Sequence, residues 1–297
     1  MGNIKQIKWS GRSRGGSLGH LCFILTIRYL GIRAAYALLF VVVPYFVPFS
    51  KKSSIAIWNY NRKILKYGKL LAFIKIFKHY YLFGQTIIDK VAIVNGNEGR
   101  YKFDFDNYES FLEVLNSGCG VVMIGAHVGT WEVGAPFFYD YGKKINIVMY
   151  DVEYQKIKEA INKHSRKNYK IIALENDSIE SIIKIKCAID SGEYVCFQGD
   201  RYISEKSTLE YNFMGGNVKF PAGPFLIASR MHVPVVFYFA TKEPNFRYKF
   251  HFVIANNVER KKDISIEQQL LNEYAVALEN IVRKYPQQWF NFYKYWD

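Results

Sequence analysis

The residues best suited to do chemistry are His127 and Glu132, in the run Ala126-His127-Val128-Gly129-Thr130-Trp131-Glu132. The apolar stretch Gly120 to Ala126 reads as a strand that ends directly at His127, and Thr130 is a suitable N-cap for a helix beginning at Trp131. An imidazole would then sit on a strand end, with a carboxylate in the first turn of the following helix. The carboxylate can accept a hydrogen bond from one ring nitrogen and leave the other facing a cleft, which is the arrangement of a general base with an orienting acid. Gly129 permits the tight turn, and the helix N-terminus offers free amides and positive potential to a developing oxyanion. The same spacing is equally compatible with a satisfied core histidine followed by an acid that the helix dipole favours.

The elements that must hold this pair are short apolar strands alternating with helical stretches from Asp89 onward. Gly120 to Ala126, Ile145 to Met149, Ile171 to Leu174, Tyr194 to Phe197, Val233 to Ala240 and Arg247 to Ile254 are rich in Val, Ile, Phe and Tyr and read as strands. Trp131 to Tyr141, Glu153 to Lys167, Ser178 to Ser191, Ala222 to Met231 and Ile264 to Lys284 read as helices. The alternation predicts an α/β fold, a mixed and mostly parallel sheet flanked by helices on both faces. In such sheets ligands gather at the carboxyl ends of the strands, where His127 falls.

Charge divides the chain. Fourteen of its forty Lys and Arg residues precede Asp89, the first acidic residue, and the net charge of the whole chain is +14, so residues 89–297 are neutral in sum. Inside the basic end lies an apolar stretch from about Gly19 to Phe49, broken only by Arg28 and Arg33. Basic sequence flanking apolar sequence suits an anionic membrane surface. Ala34 to Phe49 is short of the ~20 residues that span a bilayer, and Pro44 and Pro48 are expected to kink or end a helix there. An interfacial or re-entrant hairpin fits as well as a crossing. The expected organisation is a basic, apolar, membrane-associated region over residues 1–88 and an α/β domain over 89–297. A chain of 297 residues suits one large core.

Other chemistries lack their residues. There is no G-x-S-x-G elbow and no P-loop, and the RGGSLG glycines lie in the basic arm instead of after a strand. The four cysteines and the remaining histidines show neither metal-ligand nor disulfide-framework spacing, so neither a metal nor a dinucleotide cofactor is expected.

The HVGTWE block resembles the H-x4-D/E motif of glycerolipid-type acyltransferases, and the chain is similar to the bacterial lipid A biosynthesis (lauroyl/myristoyl) acyltransferases. The resemblance implies an N-terminal membrane segment followed by an α/β domain in which His127 and Glu132 are the catalytic pair. It places a substrate-binding Arg at Arg166, an Asp after a strand at Asp200 with Arg201 beside it, and a glycine-turn segment, FMGGNVKFPAGPF, containing Gly215, Gly216 and Pro221. Gly199-Asp200-Arg201 departs from the family's usual Pro-Asp with a further acid, which leaves the acceptor open.

The activity so implied is transfer of a long acyl chain from acyl carrier protein or coenzyme A, as co-substrate, to a hydroxyl or amine of a lipid at the cytoplasmic face of the inner membrane. A thioester is activated, so the enzyme has chiefly to deprotonate the acceptor, hold it against the carbonyl and stabilise the oxyanion. Two rivals stay open at this point: a catalytically silent scaffold of the same fold, and a basic nucleic-acid-binding protein. The second is disfavoured because the charge is concentrated beside an apolar segment.

Overall fold

The computed structural model describes residues 17–130, 133, 142–150, 169–174, 179–202, 205, 207–256 and 263–296. Four helices come first: α1 (Ser17–Leu30), α2 (Ile32–Phe49), α3 (Lys51–Asn59) and α4 (Lys69–Ala92). After them run β1 (Lys102–Asp106), α5 (Tyr108–Asn116), β2 (Val121–Gly129), β3 (Ile145–Tyr150) and β4 (Tyr169–Leu174). The chain continues through α6 (Ile179–Asp190), β5 (Tyr194–Gln198), a hairpin of β6 (Thr208–Phe213) and β7 (Gly216–Pro221), α7 (Ala222–Met231), β8 (Val235–Glu243), β9 (Arg247–Ile254) and α8 (Ile266–Lys284).

Seven strands form one sheet in the order β1-β9-β8-β2-β5-β3-β4. β8, β2, β5, β3 and β4 run parallel, whereas β9 is antiparallel to β8 and carries β1 in its own direction. The expected α/β architecture is therefore present. Alternation along β2 feeds two cores: Val122, Ile124 and Ala126 belong to the one that holds Leu271, Tyr274 and Leu278 of α8, whereas Val121 and Met123 belong to the one that holds Ile32, Ala35, Leu39 and Val43 of α2. Such double burial is why β2 reads as a continuous apolar run instead of an alternating one. α8 starts at Ser265, whose hydroxyl accepts the N–H of Gln268 at 3.3 Å.

Pro44 does not end the helix: α2 runs through it and stops at Phe49, one residue beyond Pro48. Both prolines lie on the exposed side of the helix, so each ring faces outward, and the lost hydrogen bonds fall away from the packed face. The packed face of α2 runs against α4, with Leu39 close over Gly84 and the Tyr36 hydroxyl on Asp89. The division expected between residues 88 and 89 falls inside α4, whose Ile76, Tyr80, Ile88 and Ala92 join the same core as strands β2, β8 and β9.

At that junction the first acidic residue of the chain is fully buried. Asp89 Oδ2 lies 2.5 Å from Lys242 Nζ on β8 and accepts the hydroxyl of Tyr248 on β9, also at 2.5 Å. Its Oδ1 accepts Tyr101 at 2.9 Å and Tyr36 of α2. Burial pulls the Lys242 ammonium toward lower pKa, and Asp89 opposes that pull. One carboxylate thus ties α2, α4 and two strands together.

Two sequence expectations gain extra length or extra elements. β2 does not stop at Ala126 but continues to Gly129, and β1 and the β6–β7 hairpin were not anticipated. Most of the expected helix at Trp131 to Tyr141 and all of the one at Glu153 to Lys167 lie outside the described residues.

Candidate active site

His127 sits near the carboxyl end of β2, within an irregularity of that strand. Gly125 pairs with Tyr238 of β8 while Gly129 pairs with Ala240, so two extra β2 residues are accommodated between those points, which re-aims the His127 side chain. Gly129 makes this possible. Its φ is +56°, and a Cβ there would stand 1.9 Å from the Ala240 carbonyl oxygen. The next residue, Thr130, donates its N–H to the same oxygen at 3.1 Å.

Beside β2 runs β5, and its register brings Gln198 opposite Gly125. Two residues beyond each of these partners, the chain presents His127 and Asp200. Asp200 Oδ1 accepts the Nδ1–H of His127 at 2.7 Å, and its Oδ2 accepts the main-chain N–H of the same residue at 3.0 Å. The carboxylate is 1 % exposed and the imidazole 33 % exposed. Burial alone would raise the Asp200 pKa, but His127, Arg201 and the Trp289 indole outweigh it and hold the carboxyl at about 2. With Nδ1 donating to Asp200, Nε2 is the basic nitrogen, and it has no partner among the described residues.

Beyond α8 the chain returns to this corner. Trp289 bridges Val128, and Phe290 donates its N–H to the His127 carbonyl at 2.8 Å. The Trp289 indole donates to Asp200 Oδ2 at 3.0 Å, and the hydroxyls of Tyr293 and Tyr295 donate to the Asp200 carbonyl at 3.2 and 2.9 Å. Arg201 donates through Nη2 to the Phe290 carbonyl at 2.5 Å and lies over the Tyr293 ring, while its buried Nε has no partner among the described residues. On the other side, the Tyr274 hydroxyl donates to the Gly125 carbonyl at 2.8 Å.

The residues expected to form the site are thus partly brought together. His127, Asp200 and Arg201 meet. Glu132 and Arg166 lie outside the described residues. Gly215, with Met214 also at positive φ, makes the tight turn between β6 and β7, Gly216 packs under Trp296, and Pro221 precedes the first turn of α7. None of these three is among the hydrogen-bond partners given above for His127 or Asp200. The sequence reading missed the aromatic segment Trp289 to Trp296 altogether. Its density of Trp, Tyr and Phe at the end of the chain was the available signal.

Among the described residues no cluster of three His, Cys, Asp or Glu side chains could hold a metal ion. An imidazole oriented by a buried carboxylate, with its second nitrogen open, can take a proton from a hydroxyl or amine and return it to a leaving group. A bare Ser or Cys nucleophile is not part of the arrangement described.

No curated protein matches the chain. The model of the family described as bacterial lipid A biosynthesis acyltransferase matches residues 76–297, from within α4 to the end of the sequence. With about three quarters of its length inside that match, and a seven-stranded sheet carrying His127 at a strand end, the chain belongs to the bacterial lipid A biosynthesis acyltransferase family.

Proposed function

We propose that this acyltransferase moves a long-chain acyl group from a thioester, on acyl carrier protein or coenzyme A, to a hydroxyl or amine of a lipid held at the membrane surface. The observation that carries the reading is the 2.7 Å contact between His127 Nδ1 and the buried Asp200 carboxylate. His127 Nε2 removes the acceptor proton as the acceptor oxygen or nitrogen attacks the thioester carbonyl. The tetrahedral intermediate then expels the thiolate, which takes the proton back from the imidazolium. Asp200 keeps Nδ1 protonated and stabilises the cation formed in between. Direct transfer is the simpler course, since among the described residues no activated Ser or Cys nucleophile adjoins the pair.

Arg201 is assigned to the donor or acceptor as the half-buried cation next to Asp200, its guanidinium held by the Phe290 carbonyl and over the Tyr293 ring. Glu132 and Arg166 keep the roles that the family motif implies, as the acid of the catalytic pair and a substrate-binding cation, and Asp200 is proposed to share the orienting of the ring. Gly215, Gly216 and Pro221 shape the hairpin that borders the aromatic segment.

Membrane attachment through residues 1–88 is supported by the outer face of the N-terminal helices. Phe40, Val41, Tyr45 and Phe49 of α2 and Leu70, Phe73 and Ile74 of α4 are exposed, Phe40 by 68 % and Leu70 by 75 %. Lys51, Lys52 and Lys69 flank them. α2 is long and apolar enough to cross a bilayer, but Ile32, Ala35, Leu39 and Val43 are buried against the rest of the protein. A helix packed along one face and apolar along the other suits an interfacial position, and the cytoplasmic face of the inner membrane is the proposed location.

The test is transfer itself. Purified protein is mixed with vesicles of bacterial lipid and long-chain acyl carrier protein or acyl-coenzyme A, and the lipids are read by mass spectrometry. The reading expects an acyl-sized mass gain on one lipid class together with release of the thiol. Thiol release without a lipid product would point to hydrolysis, and no turnover of either donor would favour a silent scaffold.

A further inference from the structure

The segment after α8 contacts both members of the proposed pair, and one side chain in it stands out. Asp200 Oδ1 faces the ring of His127, so the remaining oxygen, Oδ2, decides how the carboxylate is turned. Oδ2 has two donors: the main-chain N–H of His127 and the indole N–H of Trp289, each at 3.0 Å. The first is a main-chain donor of β2, which every side-chain substitution leaves in place. The second belongs to a ring that is 1 % exposed and held edge-on by Tyr60, Phe213, Tyr295 and Trp296. The same short stretch fixes the His127 main chain through the Phe290 N–H.

We infer that Trp289 is a positioning residue for acyl transfer: its indole N–H sets the rotation of the Asp200 carboxylate, and so the tautomer and direction of the His127 ring. This rests on the reading of His127 and Asp200 as the proton-handling pair. Trp289 touches no reacting atom and acts only through Asp200. A carboxylate free to turn about its Cβ–Cγ bond would spend part of its time without a hydrogen bond to Nδ1, and the imidazole would then sample the unproductive tautomer.

The experiment compares Trp289→Phe, Asp200→Ala and the double variant in the transfer assay, with thermal melts of each. Phenylalanine fills most of the buried site and lacks only the donor. Trp289→Phe is expected to lower kcat by roughly 10- to 100-fold with KM for the thioester donor within about twofold of the parent. In the Asp200→Ala background the same change is expected to do almost nothing, since no carboxylate remains to be held. A Trp289→Phe kcat within threefold of the parent overturns the inference, as does an equal loss in both backgrounds, which marks a purely structural role.

Should Trp289→Phe fail to give a cooperative melt, 3-benzothienylalanine installed at position 289 keeps the bicyclic ring and replaces only the N–H that Asp200 Oδ2 accepts. The same pattern of lowered kcat, unchanged KM and no effect beside Asp200→Ala is expected, and a parent-like kcat overturns the inference. Undiminished activity of Asp200→Ala alone would instead remove the underlying pair. Loss in Asp200→Ala with a parent-like Trp289→Phe removes only the role of Trp289.

Discussion

Asp200→Asn is expected to reduce acyl transfer by on the order of 10³- to 10⁴-fold while the protein still folds. The amide keeps the size of the carboxylate and can still accept one N–H, but it has no negative charge with which to stabilise an imidazolium. If its NH2 group turns toward His127, Nδ1 becomes an acceptor and Nε2 carries the proton, which is the wrong tautomer for a base. Asp200 is buried and its carboxyl is held at about 2, so across the neutral range the carboxylate stays charged and the comparison is one of charge alone. The effect should appear in kcat, with KM for the thioester nearly unchanged, because Asp200 is shielded from substrate by the ring it supports. Steady-state kinetics on the purified variant, beside a melting curve, reads both. A residual rate within tenfold of the parent would assign the orienting role elsewhere, with Glu132 the first candidate.

Loss of Asp89 should be the most damaging single change to stability. Asp89→Ala leaves the Lys242 ammonium, 6 % exposed, without its counter-ion, and it leaves the hydroxyls of Tyr36, Tyr101 and Tyr248 without their common acceptor. Breaking a buried pair in this way costs about 3–5 kcal/mol, a large part of the 5–15 kcal/mol by which typical domains are stable. For a chain of this size that corresponds to a fall in melting temperature of about 10 °C or more. Removing both charges, as Asp89→Leu with Lys242→Met, should restore much of the loss, because the uncompensated cation goes with its partner. A single Asp89→Ala variant that melts within about 2 °C of the parent would contradict the account of this junction. The same cluster is what binds α2 and α4 to the sheet, so its failure should also loosen the face proposed to meet lipid.

How much of this was readable from the sequence follows from the distances along the chain over which each feature is decided. Strands β2, β3, β5 and β8 announce themselves as apolar runs, since burial on both faces demands apolar residues locally, and β4 and β9 are legible from their Ile, Phe and Tyr content despite partial exposure. β1 does not, because KFDFD alternates acids with aromatics and its burial is only partial. The hairpin strands TLEYNF and GNVKFP likewise mix charge and apolar residues, their β pairing being with each other and not with the main sheet.

The site shows the same divide. His127 was legible from its place after an apolar strand, and Gly129 from the turn it must make. The carboxylate was not legible as its partner. Spacing points to the acid five residues on, Glu132, which lies outside the described residues, whereas the acid seen on Nδ1 is 73 residues away and arrives because β2 and β5 are parallel neighbours. Strand order is a property of the folded sheet, so no local pattern around Asp200 foretells it. Trp289 is further still, and its chemical signal, one indole N–H, looks like any core tryptophan until the Asp200 oxygen is seen beside it. Pro44 illustrates the opposite error: the rule that proline ends a helix gave way there because the ring falls on the unpacked side of a helix whose inner face is buried, whereas α2 does stop just past Pro48.

The most direct test is the rate of acyl transfer by His127→Ala, measured on folded protein with the lipid acceptor and thioester donor identified by mass spectrometry. The proton-transfer role predicts a fall of roughly 10³-fold or more, with the melting temperature close to that of the parent. A folded His127→Ala enzyme that keeps most of its transfer activity would contradict it.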